Sequence, residues 1–192
     1  MCIRDSYGLC PLAVWESGAN GHIEPLLVLS LVMAARALKE ERSTAAGIWL
    51  GAAALVKLVP LILLPPLLLH RRGRIAAAVA SLVFAAAWFP FTLHGVDVTR
   101  GLRAYLAHWS FNSPVHALLR GLGGPEALLR ALPFAVAVLA GLVLARRGRN
   151  AVHAWPRVLF LFLVTGPTLH PWYALWILPL SLIHISEPTR PY

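Results

Sequence analysis

Apolar residues are gathered in long blocks, separated by short joints that carry arginine, lysine or proline. The blocks cover residues 25–38, 44–56, 58–69, 75–93, 127–145, 155–169 and 172–182. Crossing a bilayer as one helix takes about 20 apolar residues, and several blocks are shorter than that, so they must pack against neighbours. The pattern predicts an all-α, polytopic membrane protein, a multi-helix bundle with short and broken transmembrane helices.

The segment 44–69 decides the predicted topology, because it forms either one long span or two short helices that turn near Lys57. A lone lysine in mid-bilayer costs about 2.5 to 3.5 kcal/mol on insertion scales. Pro60, Pro65 and Pro66 also disfavour one unbroken helix. We therefore favour the hairpin, which places Lys57 at a membrane interface.

Basic residues set the predicted sidedness. In the hairpin topology three clusters share one side: Arg36/Lys39/Arg42, Arg71/Arg72/Arg74 and Arg146/Arg147/Arg149. Arginine and lysine are enriched in cytoplasmic loops, so this side is expected to be cytoplasmic. The polar segments 18–24, 94–126 and 170–173 then face outward together with Lys57. The single span remains the alternative, and it would divide the polar segments between the two sides.

The outer loop contains a helical pattern of its own. Its apolar positions recur at helical spacing, and they are Leu102, Tyr105, Leu106 and Trp109. Arg100, Arg103 and His108 point elsewhere. This arrangement is typical of a helix that lies in the membrane interface. We expect it to form a lip over an outward-facing site.

Composition supports the membrane assignment. The chain is 58% hydrophobic and 13% charged, with a mean hydropathy of +0.69, whereas about a quarter of the residues in soluble domains are charged. The net charge of +9 comes from clusters between apolar blocks, so we expect the lipid bilayer rather than nucleic acid as a partner. Cys2 and Cys10 have no metal-ligand spacing. We predict no metal and no cofactor.

Both ends differ from the rest of the chain. Residues 1–6 and 183–192 resemble translated sequencing-adapter read-through, and residues 1–6 lack the apolar core of a signal peptide. We expect both segments to be foreign. Residues 7–182 would then be a fragment of one integral-membrane domain.

The first candidate for chemistry is the run Asn20-Gly21-His22-Ile23-Glu24 at the start of an apolar block. Glu24 is expected in the first helical turn, where the positive helix end stabilises a carboxylate. His22 lies close enough to share a proton with it or to bind an anion. We predict that Glu24 and His22 are catalytic and that Asn20 binds substrate, while a plain polar helix cap is the alternative.

Lys57 and Asn112 are candidate substrate-binding residues. The Lys57 ammonium would meet a phosphate as a point charge, or would serve as a snorkelling membrane anchor. The run Trp109-Ser110-Phe111-Asn112-Ser113 places aromatic surface beside amide and hydroxyl groups, which suits a sugar. An interfacial aromatic belt explains Trp109 equally well, so Asn112 is the better candidate.

His170-Pro171-Trp172-Tyr173 interrupts an apolar run near the end of the chain. Pro171 favours a helix start, where His170 can face an aqueous cavity and hold a phosphate or hydroxyl group. We predict that His170, Trp172 and Tyr173 bind substrate. An interfacial cap, with the two aromatic rings at headgroup depth, is the alternative.

In order, these motifs resemble those of glycosyltransferase family 87, the polyprenyl-phosphate-mannose-dependent GT-C membrane glycosyltransferases. The family's patterns are Gly-Asn-Gly-His-x-Asp/Glu before a helix, Gly-x-x-x-Gly-x-Ala-x-x-x-Lys, Trp-x-Phe-Asn-x-Ser and His-Pro-Trp-Tyr. In this chain they place Glu24, Lys57, Asn112 and His170 at the family's acidic, lysine, asparagine and histidine positions.

The resemblance implies a mannosyltransferase-like, multi-pass protein of the cell membrane with an outward-facing cavity. It would move a hexose from a polyprenyl-phosphate-linked sugar donor to an extracytoplasmic glycan or glycolipid acceptor, with inversion. The family's acidic base on the first outer loop would precede Tyr7. Two other classes stay open: a secondary transporter or lipid flippase, and a non-catalytic membrane subunit.

Overall fold

The computed structural model describes residues 7–147 and 151–185, and the regular structure in these ranges is helical. This confirms the predicted all-α class. The α-helices are α1 Pro11–Val14, α2 Glu24–Lys39, α3 Ser43–Val56, α4 Leu64–Leu67, α5 Arg71–Leu93, α6 Arg100–His108, α7 Pro114–Gly121, α8 Glu126–Arg147, α9 Trp155–Thr165 and α10 Ala174–Ile185. A π-helical turn covers Trp15–Ala19, and 3₁₀ turns cover Val59–Leu63, Ala151–Ala154 and Pro171–Tyr173.

Two of the described helices are long and apolar enough to cross a membrane. They are α5 and α8, whose most apolar windows have mean hydropathies of 1.9 and 2.3 and are 17% and 22% buried within the protein. The shorter apolar helices include α3 and the segment Val152–Thr165. The outer surfaces of α5 and α8 expose large apolar side chains such as Leu82, Phe89 and Leu139, as a lipid-facing surface does.

The helix break predicted at Lys57 is present. Helix α3 ends at Val56, and Lys57 adopts an extended backbone with φ −148° and ψ 144°. A 3₁₀ turn and the short helix α4 follow. The prolines that disfavoured one unbroken helix lie at the start of these two elements, since proline lacks the N–H that a helix interior requires.

Helices α3 and α5 pack backbone against backbone through two glycines. A Cβ atom added at Gly47 would lie 2.6 Å from the Ala76 carbonyl oxygen, and one added at Gly51 would lie 2.8 Å from Val83 Cβ. Small residues spaced by four allow helices in a membrane protein to approach this closely. This contact places the end of α3, and therefore Lys57, at a fixed position in the bundle.

The main core lies where α2, α3, α4, α9 and α10 meet. Its largest fully buried side chains include Leu27, Leu31, Leu50, Trp155 and Trp176. Helix α8 packs along α9 and also meets α4, where Gly141 approaches the ring of Pro66. The core thus joins α2 and α10 around the break after α3.

Some helix boundaries differ from the sequence analysis, and some residues that it discussed fall outside the described ranges. Helix α9 ends at Thr165 and not at residue 169, because Phe111 forms an isolated bridge with Thr168 and draws this segment into an extended form. Helix α10 continues to Ile185, past residue 182. Residues 1–6 and 186–192, and Arg149 of the third basic cluster, lie outside the described ranges.

Candidate active site

An ion pair between Glu24 and Lys57 lies at the centre of the candidate site. Glu24 is the first residue of α2 and is fully buried. The Lys57 ammonium contacts Glu24 Oε1. The positive end of α2 also favours the carboxylate, and the extended backbone at Lys57 directs the lysine towards it. Two positions that are distant in the sequence therefore form one buried pair.

His22 extends this pair into a series of ionisable groups, the charge chain, in which His22 lies between two carboxylates. Its Nδ1 lies 3.7 Å from Glu24 Oε2, and its Nε2 lies 3.4 Å from Glu16 Oε2. Asn20 Nδ2 donates a 2.9 Å hydrogen bond to the same Glu16 oxygen. The polar groups follow one another in the order Asn20, Glu16, His22, Glu24 and Lys57.

Burial divides this chain into two layers. Glu24 and Glu16 have side chains only 0% and 8% exposed, whereas Lys57 and His22 are 26% and 31% exposed. The carboxylates thus lie beneath and the nitrogen groups reach the surface. Glu24 Oε2 has no hydrogen-bond donor among the described residues, and His22 Nδ1 faces it. A buried carboxylate without a direct path to solvent acts through the groups that cover it.

Four rings form a stacked column beside the ion pair. The centroid of His22 lies 4.4 Å from that of Trp172, Trp172 lies 4.3 Å from His170, and His170 lies 4.8 Å from Phe111. The interplanar angles are 27°, 5° and 16° in the same order. Two imidazoles therefore alternate with two apolar aromatic rings, and the column joins three separate parts of the chain.

Tyr173 connects the ion pair to the lip helix α6. The Lys57 ammonium lies 5.1 Å from the centroids of both Tyr173 and Trp176, within the range of cation–π attraction. The Tyr173 hydroxyl lies 3.2 Å from that of Tyr105, which also hydrogen-bonds Thr168 Oγ1. Aromatic faces thus cover the ammonium where Glu24 does not.

Burial lowers the pKa of His170, and the positive charges of Lys57 and His22 lower it further. Both effects disfavour an additional proton on the imidazole. His170 lies in the turn before Pro171–Tyr173. The site therefore favours a neutral ring that is able both to donate and to accept a hydrogen bond.

A cavity of about 570 Å³ opens beside Lys57. Its walls are mainly apolar side chains from the segment after α3 and from α6, α8 and α9, and they include Leu58, Ile62, Leu102, Leu106, Phe134, Val138, Phe162 and Leu163. Its polar lining consists of Lys57, Tyr105, Arg130, Thr168 and Tyr173. The arrangement joins an apolar chamber to a cationic rim.

Comparison with known families identifies the chain. The profile of glycosyltransferase family 87 matches residues 7–171. The chain belongs to glycosyltransferase family 87. No curated protein and no solved structure matches it significantly. The family resemblance seen in the motifs is confirmed, and membership in glycosyltransferase family 87 implies a glycosyl donor and an acceptor.

Within this family 87 chain, the predicted site residues are brought together unequally. Glu24, His22 and Lys57 share the charge chain, Asn20 contacts it through Glu16, and His170, Trp172 and Tyr173 surround it. Asn112 lies apart in an exposed loop, with a left-handed φ of 47°. Its neighbour Phe111, and not Asn112, forms the ring contact with His170.

Sequence reasoning missed three polar residues of the candidate site, which are Glu16, Arg130 and Tyr105. Glu16 lies four residues before Asn20, a spacing that predicts contact on a helical turn. Arg130 lies four residues after Glu126 inside an apolar block, where an ionisable residue indicates a site. The Tyr105 hydroxyl had no such signal, because Tyr105 was part of an apolar helix face and its partners Thr168 and Tyr173 are distant in the sequence.

Proposed function

We propose that this family 87 chain transfers a hexose from a polyprenyl phosphate to a glycan or glycolipid outside the cytoplasmic membrane. The proposed hexose is mannose. The observation that carries the proposal is the Glu24–Lys57 pair at the rim of an apolar cavity. A lipid-linked phosphate needs both parts, because its isoprenoid chain requires apolar walls and its phosphate requires a cation.

Lys57 is the proposed contact for the departing phosphate. Its ammonium lines the cavity and is partly exposed, and a cation fixed before the reaction stabilises charge that develops on the leaving group. Glu24 holds the ammonium at the rim. His170 is expected to donate a hydrogen bond to the same phosphate or to a sugar hydroxyl, since its ring lies between Trp172 and Phe111.

His22 and Glu24 are the proposed pair for activation of the acceptor. Inversion requires a base within hydrogen-bond reach of the acceptor hydroxyl. His22 is the partly exposed member of the charge chain, while Glu24 lies behind its Nδ1. We infer that a neutral His22 takes the acceptor proton at Nε2, where the acceptor hydroxyl replaces the Glu16 Oε2 that now lies 3.4 Å away. Glu24, on the Nδ1 side, then stabilises the imidazolium formed, as a carboxylate does behind a catalytic histidine.

The remaining substrate-binding assignments concern the sugar. Aromatic faces and amide groups suit a hexose, which has apolar ring faces and a rim of hydroxyl groups. Trp172 and Tyr173 offer the faces, and Asn20 and Asn112 are exposed residues with amide side chains. The lipid bilayer is the proposed environment, with α5 and α8 as spans.

The test is transfer of radiolabelled mannose from polyprenyl-phosphate mannose in membranes that contain the full-length gene product. We expect Lys57→Ala and His170→Ala to lower turnover about 10²- to 10³-fold, as loss of one preorganised electrostatic donor does. His22→Ala and Glu24→Gln should also abolish most activity. Lys39→Ala and His94→Ala are matched controls outside the site and should transfer at the wild-type rate.

Two results would contradict the proposal in different ways. Wild-type rates in the Lys57, His170, His22 and Glu24 variants would remove these residues from the site. Absence of transfer from every lipid-phosphate sugar by the wild-type protein, with movement of the lipid across vesicles instead, would replace the transferase with a flippase.

A further inference from the structure

Arg130 lines the cavity but has no part in the proposed reaction. It lies in the second turn of α8, and its side chain is only 16% exposed. Its Nη2 pairs with Glu126 Oε1 at 2.6 Å. An arginine inside an apolar helix of a membrane protein is costly, so a specific contact is expected to offset its cost.

That contact is with the end of the lip helix α6. Arg130 Nη1 donates hydrogen bonds to the carbonyl oxygens of Leu106 at 2.6 Å and Trp109 at 3.2 Å. The last carbonyls of a helix have no partner within the helix, and a cation at this end also meets the negative pole of the helix dipole. Arg130 therefore caps α6 from a different helix.

Helix α6 depends on such contacts because little apolar surface holds it. None of its residues is buried. Its apolar face forms a wall of the cavity through Leu102, Tyr105 and Leu106. The Tyr105 hydroxyl bonds to Thr168 and Tyr173 at the middle of the helix, and Arg130 bonds to its end.

The chain after α6 leads directly into the ring column. The Phe111 amide donates to the Pro167 carbonyl at 2.9 Å, and the Leu169 amide donates to the Phe111 carbonyl at 2.8 Å. The Phe111 ring stacks on His170. The position of the α6 end therefore affects both Tyr105, beside Tyr173, and Phe111, beside His170.

We infer that Arg130 is a positioning residue, which holds α6 against the cavity. Tyr105 and Phe111 then complete the site that binds the lipid-linked sugar donor, beside Lys57 and His170. The contacts between Arg130 and α6 are present whatever reaction the protein catalyses. The expected effect on kcat and KM, in contrast, rests on the proposed function. Loss of the Arg130 bonds lets the lip helix move away from the cavity and leaves the walls of the cavity incomplete.

The distance between two spin labels tests whether Arg130 holds α6 in place. The labels are introduced into a protein whose Cys2 and Cys10 are replaced. One label is placed at Ala104 on α6 and the other at Ala127 on α8, both exposed positions. We expect a narrow distance distribution in the wild type and a broader one in Arg130→Gln. Arg120→Gln is the matched control, because Arg120 also approaches Glu126, at 3.6 Å, but is 63% exposed.

The kinetic part compares kcat and KM for the lipid-linked donor. We expect Arg130→Gln to lower kcat/KM on the order of 10²-fold, the cost of a misplaced substrate, mainly through a higher KM. Arg130→Lys, which keeps the positive charge but on a single nitrogen, should lie between Arg130→Gln and the wild type. Tyr105→Phe, which frees the same helix, should broaden the same distance distribution.

The outcomes separate the two proposals. An unchanged distance distribution and an unchanged KM in Arg130→Gln would overturn the role of Arg130. If Arg130→Gln fails to fold, the same two readouts in Arg130→Lys and Tyr105→Phe decide. A wild-type protein with an ordered α6 but without transfer from any lipid-linked sugar would contradict the proposed function alone.

Discussion

Glu24 and Lys57 form an asymmetric ion pair, because only Lys57 has access to solvent. Glu24 is fully buried, while the Lys57 side chain is 26% exposed. A buried charge that loses its partner destabilises a protein far more than one that reaches water. The two members are therefore expected to differ in their tolerance of substitution.

The first prediction concerns this asymmetry. Lys57→Met should lower the free energy of unfolding by about 3–5 kcal/mol, the cost of breaking a buried pair from one side. Glu24→Gln should cost less, because the lysine is able to turn towards solvent. The double variant Glu24→Gln/Lys57→Met should be more stable than Lys57→Met alone. Thermal unfolding in detergent measures the stability of all three variants. A loss in the double variant equal to the sum of the two single losses would show that Glu24 and Lys57 do not interact.

A second prediction follows from His170. Because its pKa is lowered in the folded protein, the unfolded chain binds more protons than the folded one as the pH falls below the ordinary histidine value of 6.5. The stability contributed by the neutral ring is thus present above this value and is lost on acidification through the folded pKa.

We therefore expect the thermal midpoint of the wild type to fall more between about pH 7.5 and about pH 5.5 than that of His170→Gln. His94→Gln, on an exposed loop position, should keep the wild-type dependence. Equal slopes in the wild type and His170→Gln would show that His170 does not take up a proton in this range.

At the level of the helices, the tight crossing of α3 and α5 makes the sharpest prediction. A methyl group at Gly47 would meet the Ala76 carbonyl at 2.6 Å, and that backbone atom cannot move without shifting α5. Gly47→Ala should therefore destabilise the protein by about 1–3 kcal/mol, as overpacking does.

Gly101 offers the opposite case in a helix. A Cβ there has nothing within 4 Å, so Gly101→Ala should be neutral or stabilise the protein by up to about 1 kcal/mol through helix propensity. The measurement is the difference in unfolding midpoint between the two variants. A stable Gly47→Ala protein would show that the two helices do not cross this closely.

The helices were predictable because their signals are local. Each apolar block ends in basic residues, proline or glycine, and these mark α2, α3, α5 and α8 to within a few residues. The end of α9 was not predictable from local signals. Residues Gly166–Leu169 are extended because they pair with Phe111, which is far away in the sequence. A local sequence pattern does not predict a pairing between distant segments.

In the candidate site, too, single residues were predictable from the sequence but their contacts were not. Glu24, Lys57 and His170 stand out because ionisable residues are rare in apolar surroundings. Their contacts did not stand out, because Glu16 and Arg130 were not among the candidates that the sequence suggested. Which charges meet is decided by the packing of α2, α3 and α8, which the sequence alone does not give.

For the whole molecule, the arrangement of basic residues predicts how the bundle sits in a membrane. Arg36 and Arg74 lie at the ends of α2 and α5 that the hairpin topology places in the cytoplasm, whereas Ala19 and Ser110 lie near the charge chain and the ring column. The helix break at Lys57 is compatible with this arrangement.

Single cysteines at Arg74, Ala19 and Ser110, in a protein without Cys2 and Cys10, test the orientation in intact cells. An impermeant thiol reagent should label Ala19→Cys and Ser110→Cys but not Arg74→Cys. All three positions are exposed in the structure. Protection at Ala19 together with labelling at Ser110 would favour the single span through segment 44–69.

The ring cover over Lys57 also sets the order in which the protein can be assembled. Glu24 and Lys57 are synthesised early, whereas Trp172, Tyr173 and Trp176 follow at the far end of the described chain. During synthesis the two charged residues are therefore made before their aromatic neighbours. Completion of the site therefore coincides with the arrival of α10, and a chain that ended before Pro171 would leave the Lys57 ammonium without its aromatic cover.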